Sequence, residues 1–295
     1  MKRVALYFSL ICIFTSWMPL LAAPDSPRAL IVIGPSRHPP GTHEVAAGAR
    51  LMAFCLESLE NAQKLEVDVV DSWTSDWKTL KTYDTVVLIG DSFPGERMAE
   101  SDTAMKDLAR MMKKGCGMIT VHYGVGLKNE DMGPDGDHPL LHWTGGYFAA
   151  KCDHHQSVAK IYEAATIVPA DPAHPIANGV MPFTIKDEPY IKNYFGPKGR
   201  MLPGAFPVAT SMLPPDDPNK EIIAWGIERP DSGRGLGITL PHFFQNWKVE
   251  PLRKFIINGI LWTAKVEVPN AGAKTTLPDL QHFEPESVVP VPRKK

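Results

Sequence analysis

Met118-Ile119-Thr120-Val121-His122-Tyr123-Gly124 is a short apolar run that passes without a linker into a histidine and a glycine. Apolar residues at successive positions make a strand buried on both faces, as in a parallel sheet covered by helices. The end of the run has the shape of a nucleophile elbow, where a strand turns sharply into a helix and presents one side chain at the sheet's carboxyl edge. Hydrolases and amidotransferases place Ser or Cys there; here it is His122. Imidazole titrates near neutrality, so it suits proton transfer or metal ligation better than stable acyl chemistry. The plainer alternative is a histidine that caps a loop.

Outward from this stretch, strands and helices alternate. Residues 29–33 form a second continuous apolar run, ended by Gly34-Pro35, and residues 65–70 and 85–89 supply two more strands. Val45, Ala49, Met52, Leu56 and Leu59 recur at intervals of three and four, which predicts a helix over 42–60 with one buried face. Met105, Leu108, Ala109 and Met112 predict another over 99–114, closed by Lys113, Lys114 and Gly115. This alternation implies an α/β fold with parallel pairing through right-handed crossovers. Ligands of such sheets sit beyond the carboxyl ends of the strands. That rule singles out His38 and the His43-Glu44 pair, Asp91, and His122.

From about residue 129 to 237 the chain is rich in Gly, Pro and His and weakly periodic. Short strands are expected at 157–161, 206–210, 221–227 and 236–240, and a last helix at 251–264. Residues 267–295 hold many prolines and few apolar residues, so an extended or disordered tail is expected there.

Residues 1–23 carry Lys2 and Arg3, an apolar run, then Ala22-Ala23, the layout of a signal peptide; a retained anchor is the alternative. The expected product is one domain over 24–266, periplasmic or secreted, without a membrane span once the leader is cleaved. A net charge of −2 with no basic stripe argues against nucleic acid. Cys12 leaves with the leader, and Cys55, Cys116 and Cys152 cannot all pair, so this is no disulfide scaffold, although one bridge is allowed. Cys55 and Cys116 read as core; Cys152 falls in a polar loop.

Four further groups could carry chemistry. His43-Glu44 follows the Pro39-Pro40-Gly41 turn, with Thr42 as a candidate N-cap and Glu44 at the positive end of the helix dipole. His138, His142, His154 and His155 offer imidazoles for a metal, or a solvated polar loop; adjacent His154 and His155 point to opposite sides. Asp187-Glu188-Pro189-Tyr190 offers a carboxylate base and a phenol, with a surface acidic pair as the plainer reading of these residues taken alone. Gly233-Arg234-Gly235-Leu236-Gly237 leads into a strand rather than a helix, so it reads as a turn that places His242 at a strand end, not as a dinucleotide loop.

Together these pieces resemble the ThuA-like (trehalose-utilisation) family, whose members look like class I glutamine amidotransferases without the catalytic cysteine. The matching residues are Gly41-Thr-His-Glu44, Thr120-Val-His122, Gly145-Gly-Tyr-Phe148, His174-Pro-Ile176 with Gly179, Asp187-Glu-Pro-Tyr190, Gly233-Arg-Gly235, His242 and Asn258-Gly-Ile-Leu-Trp262. The chain departs from the family's pattern at Lys151 and at Pro241. The resemblance implies a flavodoxin-like doubly wound, mostly parallel sheet with helices on both faces. It also implies a pocket holding His43, His122, Glu188 and His242, and work on disaccharides or their 3-keto derivatives. His174-Pro-Ile176 is expected to be a structural turn.

The expectation is therefore an exported enzyme acting on a carbohydrate by acid–base chemistry, without a cysteine nucleophile. His122 or Glu188 would take a proton beside a carbonyl, while His242 or a bound divalent metal such as zinc stabilises the oxyanion. His43, Glu44, Trp143 and Tyr190 would hold hydroxyls and a sugar face, with Tyr147 near Trp143 suited to stacking. Isomerisation, elimination and hydrolysis all fit these groups. The competing reading is a non-catalytic carbohydrate-binding protein using the same pocket; a cysteine enzyme built on Cys116 or Cys152 is a distant third. A homo-oligomer is compatible with the sequence.

Overall fold

The computed structural model describes residues 26–284; the expected leader and the last part of the expected tail lie outside them. In chain order the elements are β1 (Arg28–Ile33), α1 (Val45–Glu57), β2 (Glu66–Val70), α2 (Trp77–Leu80), β3 (Thr85–Ile89), α3 (Ser101–Lys113), β4 (Gly117–Val121) and β5 (Gly126–Lys128). They continue with α4 (Pro139–Thr144), β6 (Phe148–Ala150), β7 (Tyr162–Pro169), β8 (Phe183–Asp187), β9 (Ala205–Leu213), β10 (Asn219–Glu228), β11 (Arg234–Ile238) and α5 (Glu250–Thr263). One 9-stranded sheet runs β2-β1-β3-β4-β11-β10-β9-β7-β8, and β5 pairs β6 separately.

Alternation along the central strands explains the layering. Ala29 and Ile31, Val87 and Ile89, and Ile119 and Val121 face α1 and α5. Leu30, Val32, Val86, Leu88 and Met118 face α2, α3 and α4. Apolar side chains at consecutive positions thus bury both faces, which is why these strands read as unbroken apolar runs. The order from β2 to β11 is the doubly wound, mostly parallel flavodoxin-like arrangement, with helices on both faces. β10, β9, β7 and β8 extend it as an antiparallel wing.

Register aligns the strand ends. Ile33 pairs with Ile89, Ile89 with Val121, and Val121 with Ile238, so the residues after β1, β3, β4 and β11 all emerge on one edge.

Four local expectations are corrected. Residues 157–161 form no strand and contribute one bridge, Val158 to Ile191; the strand lies just downstream as β7. The elbow enters a one-turn 3₁₀ segment over His122–Val125 rather than an α-helix. Thr42 does not cap α1: its hydroxyl donates to Pro39 O, and the N-cap position is Glu44, whose side chain makes no capping bond to the helix and instead accepts from Gly41 N through Oε1 at 2.7 Å. Residues 267–284 are extended but not free. Val268, Ala273, Leu280 and Phe283 are buried in the core that contains α1 and α5, Phe283 meets Phe54 at 5.6 Å between ring centroids, and Arg50 Nε donates to Phe283 O at 3.0 Å. Composition missed this because the apolar residues are too widely spaced to show a period, yet each fills a gap. No helix among the described residues is long and apolar enough to cross a membrane.

Candidate active site

The common edge gathers side chains from far apart in sequence. His122 leaves β4 with φ of 49°, in the left-handed region that β-carbon crowding disfavours. Its turn packs directly on β3: a Cβ at Gly124 would lie 2.8 Å from Leu88 O, so only glycine fits. His43 also has positive φ, 40°, and its N–H donates to His242 O at 3.0 Å, tying the loop before α1 to the loop after β11. Left-handed non-glycine residues persist where surrounding contacts over-determine them, as at active sites.

Three imidazoles converge. His43 Nε2 lies 2.7 Å from His122 Nε2 and 3.0 Å from His242 Nδ1, and the last two are 3.2 Å apart. Glu188 Oε2 completes the group at 3.2 Å from His242 Nδ1 and 3.9 Å from His122 Nε2. The Tyr190 hydroxyl donates to His122 Nε2 at 3.1 Å.

Outer partners fix these rings. His122 Nδ1 donates to Thr239 O at 2.7 Å, and His43 Nδ1 donates to Asp91 Oδ1 at 2.6 Å. Asp91 Oδ2 accepts from His38 Nδ1 at 2.9 Å, and the His38 ring stacks on His43 with centroids 3.5 Å apart. Asp187, wholly buried, holds the opposite side: its Oδ1 accepts from His242 N at 2.8 Å and Glu188 N at 2.6 Å, and its Oδ2 from Asn246 Nδ2 at 2.6 Å.

Burial sets the electrostatics. Loss of water lowers His122 well below the ordinary imidazole value, and the neighbouring His43 and His242 add to this. Burial lowers His43 too, against the opposing hydrogen bond to Asp91. Burial alone would raise Asp91, but the hydrogen bonds from His38 and His43 hold it well below the carboxylate range. Asp187 is pushed up to about 6 by burial, its donors only partly offsetting this. Tyr190 is raised well above the phenol range, first by burial and then by Glu188, so it remains a neutral donor. Burial thus favours the neutral form of His122 and His43 beside a carboxylate and a phenol.

Of the residues expected from sequence, His43, His122, Glu188, Tyr190 and His242 meet here. Glu44 and Trp247 line a recess together with His43, His122 and His242. Trp143 does not join them: it sits in α4, buried in the core formed with α3, because its position in that short helix turns it away from the edge. Tyr147 is buried in that core as well, with its hydroxyl donating to Gly136 O. The other histidines disperse. His138 caps α4 and bonds Glu96, His142 bonds Asp137, His154 bonds Tyr147, and His155 donates to Lys192 O. His174 accepts from Ile176 N at the head of a 3₁₀ turn, the structural role expected. Cys152 is buried, not loop-exposed, and Cys55, Cys116 and Cys152 are all free thiols outside the cluster.

Sequence reasoning gave no site role to Tyr123 and Asn246. Asp91 and His38 were visible as residues following strands, but not as a layer behind His43. Tyr123, Phe148 and Tyr190 form an aromatic wall beside the histidines, with Phe148 and Tyr190 centroids 4.4 Å apart and Tyr123 5.7 Å from Phe148.

Fold and site together define a flavodoxin-like α/β protein whose elbow carries a histidine within a three-histidine, one-carboxylate cluster. A family model described as ThuA, trehalose utilisation, matches residues 28–263, and the chain belongs to this family. Its fold is similar to that of a ThuA-like protein from Bacteroides uniformis, with a TM-score of 0.55, 14% identity, and coverage of 83% of this chain and 95% of that one. It also aligns with Agd3, a carbohydrate deacetylase, at a TM-score of 0.49 and 10% identity, over 81% of this chain and 32% of that one. A glutamine amidotransferase from Thermotoga maritima aligns at a TM-score of 0.37 and 11% identity, over 81% and 90%. No curated protein matches the sequence.

Proposed function

We propose that this protein is an exported enzyme acting on a carbohydrate, a disaccharide or a 3-keto derivative of one, by acid–base chemistry and without a cysteine nucleophile. The convergence of His43 Nε2, His122 Nε2 and His242 Nδ1 on Glu188 carries the reading. A carboxylate beside clustered imidazoles can take the proton from a carbon next to a carbonyl while a neutral donor at the cluster faces the developing enolate oxygen. Glu188 is the base, and the Tyr190 phenol donates a hydrogen bond to the oxyanion. His38, Glu44 and Asp91 suit sugar hydroxyls, and Tyr123 on the aromatic wall suits an apolar sugar face. The family's description, trehalose utilisation, supports a sugar as the substrate class.

The test is turnover on a panel of 3-keto-glycosides by the wild type and by Glu188→Gln. The expected loss is on the order of 10²–10⁴-fold in kcat, the range for removing a general base, with sugar affinity retained. A wild type that binds these sugars and turns over none of them would leave the non-catalytic binding protein as the correct reading.

A further inference from the structure

The three-imidazole convergence cannot be satisfied by protons. His122 Nδ1 already donates to a carbonyl, which can only accept, so the proton of the neutral ring is on Nδ1 and Nε2 offers a lone pair. His43 Nδ1 faces the Asp91 carboxylate in the same way, so its Nε2 is likewise a lone pair. These two lone pairs point at each other across 2.7 Å. Charging one ring would place a single proton between them, but His122 Nε2 would still have His242 Nδ1 at 3.2 Å and Tyr190 at 3.1 Å competing for one lone pair. An sp² nitrogen has one such pair, and three partners aimed at it need a shared centre.

The geometry points to a divalent metal centre ligated by His43 Nε2, His122 Nε2, His242 Nδ1 and Glu188 through Oε2 alone, which leaves Oε1 as the basic oxygen. Donors about 2.1 Å from a common ion stand roughly 3.0 Å apart at right angles and roughly 3.4 Å apart in a tetrahedron. The nitrogens stand 2.7, 3.0 and 3.2 Å apart and Glu188 Oε2 3.2 Å from His242 Nδ1 and 3.9 Å from His122 Nε2, a range that brackets these values. Two ligand rings carry the support that metal-binding histidines normally have: Asp91 behind His43 and the Thr239 carbonyl behind His122. Three imidazoles and one carboxylate select zinc or another borderline first-row cation over magnesium or calcium. As the source of positive charge opposite the oxyanion, the ion rests on the reading of this cluster as the reaction centre.

The experiment strips the full chain with chelator, reloads it with zinc alone, removes free ion and measures bound metal by mass spectrometry. One zinc per chain is expected. His122→Asn, chosen because asparagine tolerates the left-handed backbone at this position, should retain under about a tenth of that. Asp91→Asn, which removes no ligand, should weaken zinc binding by about 10- to 100-fold while circular dichroism stays native. Wild type holding no more zinc than His122→Asn overturns the centre, as does metal-free protein turning over a 3-keto-glycoside at full rate. Zinc bound at one per chain with no turnover on any sugar supports the centre and removes the enzymatic reading alone.

Discussion

Asp187→Ala tests how the antiparallel wing holds the site. The Asp187 carboxylate is wholly buried and accepts from His242 N, Glu188 N and Asn246 Nδ2, so it fixes the backbone on both sides of the cluster. Truncation leaves these donors without their acceptor; only Asn246 keeps another, Lys186 O at 2.8 Å. An orphaned buried donor costs about 1–3 kcal/mol, and the effects are not fully additive, so a loss of about 3–5 kcal/mol is expected. With an m-value near 3 kcal/mol/M the urea midpoint, followed by circular dichroism, falls by roughly 1–1.7 M. The pH dependence has a definite sign. Burial raises this carboxyl to about 6, above its unfolded value, so the folded chain holds the proton more tightly. That stability is fully present below the unfolded pKa and is lost as pH rises through about 6. Wild type should therefore gain stability relative to Asp187→Asn as pH falls from 7 to 4. A midpoint change under about 0.3 M for Asp187→Ala at unchanged m would refute the account of these hydrogen bonds.

Removing residues 278–295 deletes Leu280, Phe283 and the carbonyl that Arg50 bonds; about 2–4 kcal/mol of stability should go with them, and an unchanged melting curve would show that the docked segment contributes nothing. Burial pushes Cys55 and Cys116 up to about 12, so at pH 8 on the order of one thiol in ten thousand is ionised. Ellman's reagent should label these thiols in urea and not in the native state, and labelling of the native protein within minutes would contradict their burial.

The parallel half was legible because strands buried on both faces cannot hide: residues 29–33, 85–89 and 118–121 are apolar at nearly every position. The wing was not. In β7, Tyr162, Ala165, Ile167 and Pro169 are buried, but Glu163 and Ala164 interrupt the alternation at a register shift, and the strand was expected upstream. β8 does alternate, Phe183, Ile185 and Asp187 facing inward, but over five residues that signal is too short to stand out from the surrounding loops. At the site, His43 and His122 stood out because strand-end position and residue chemistry coincide, and His242 because a glycine-rich turn leads through a short strand to it, whereas Glu188 entered the expected pocket through the family resemblance and Tyr190 as the phenol beside it. Trp143 was misplaced because sequence spacing cannot tell which layer a one-turn helix faces. Asp187 was seen as half of an acidic pair, but its role depends on meeting backbone N–H groups from another segment, and no side-chain pattern records that.

The spread of the cluster along the chain has a consequence for how the protein matures. His43 and His242 are 199 positions apart, and His122 and His242 120 apart. Closing loops of that length is an entropic cost met only after the local elements have formed, so such contacts come late in folding. A nascent chain that has produced β1 through β4 already holds a sheet edge and two of the histidines, but neither Glu188 nor His242. Assembly of the cluster is thus withheld until the wing has docked, and a chain truncated before residue 242 lacks both the third histidine and α5, which covers one face of the doubly wound half.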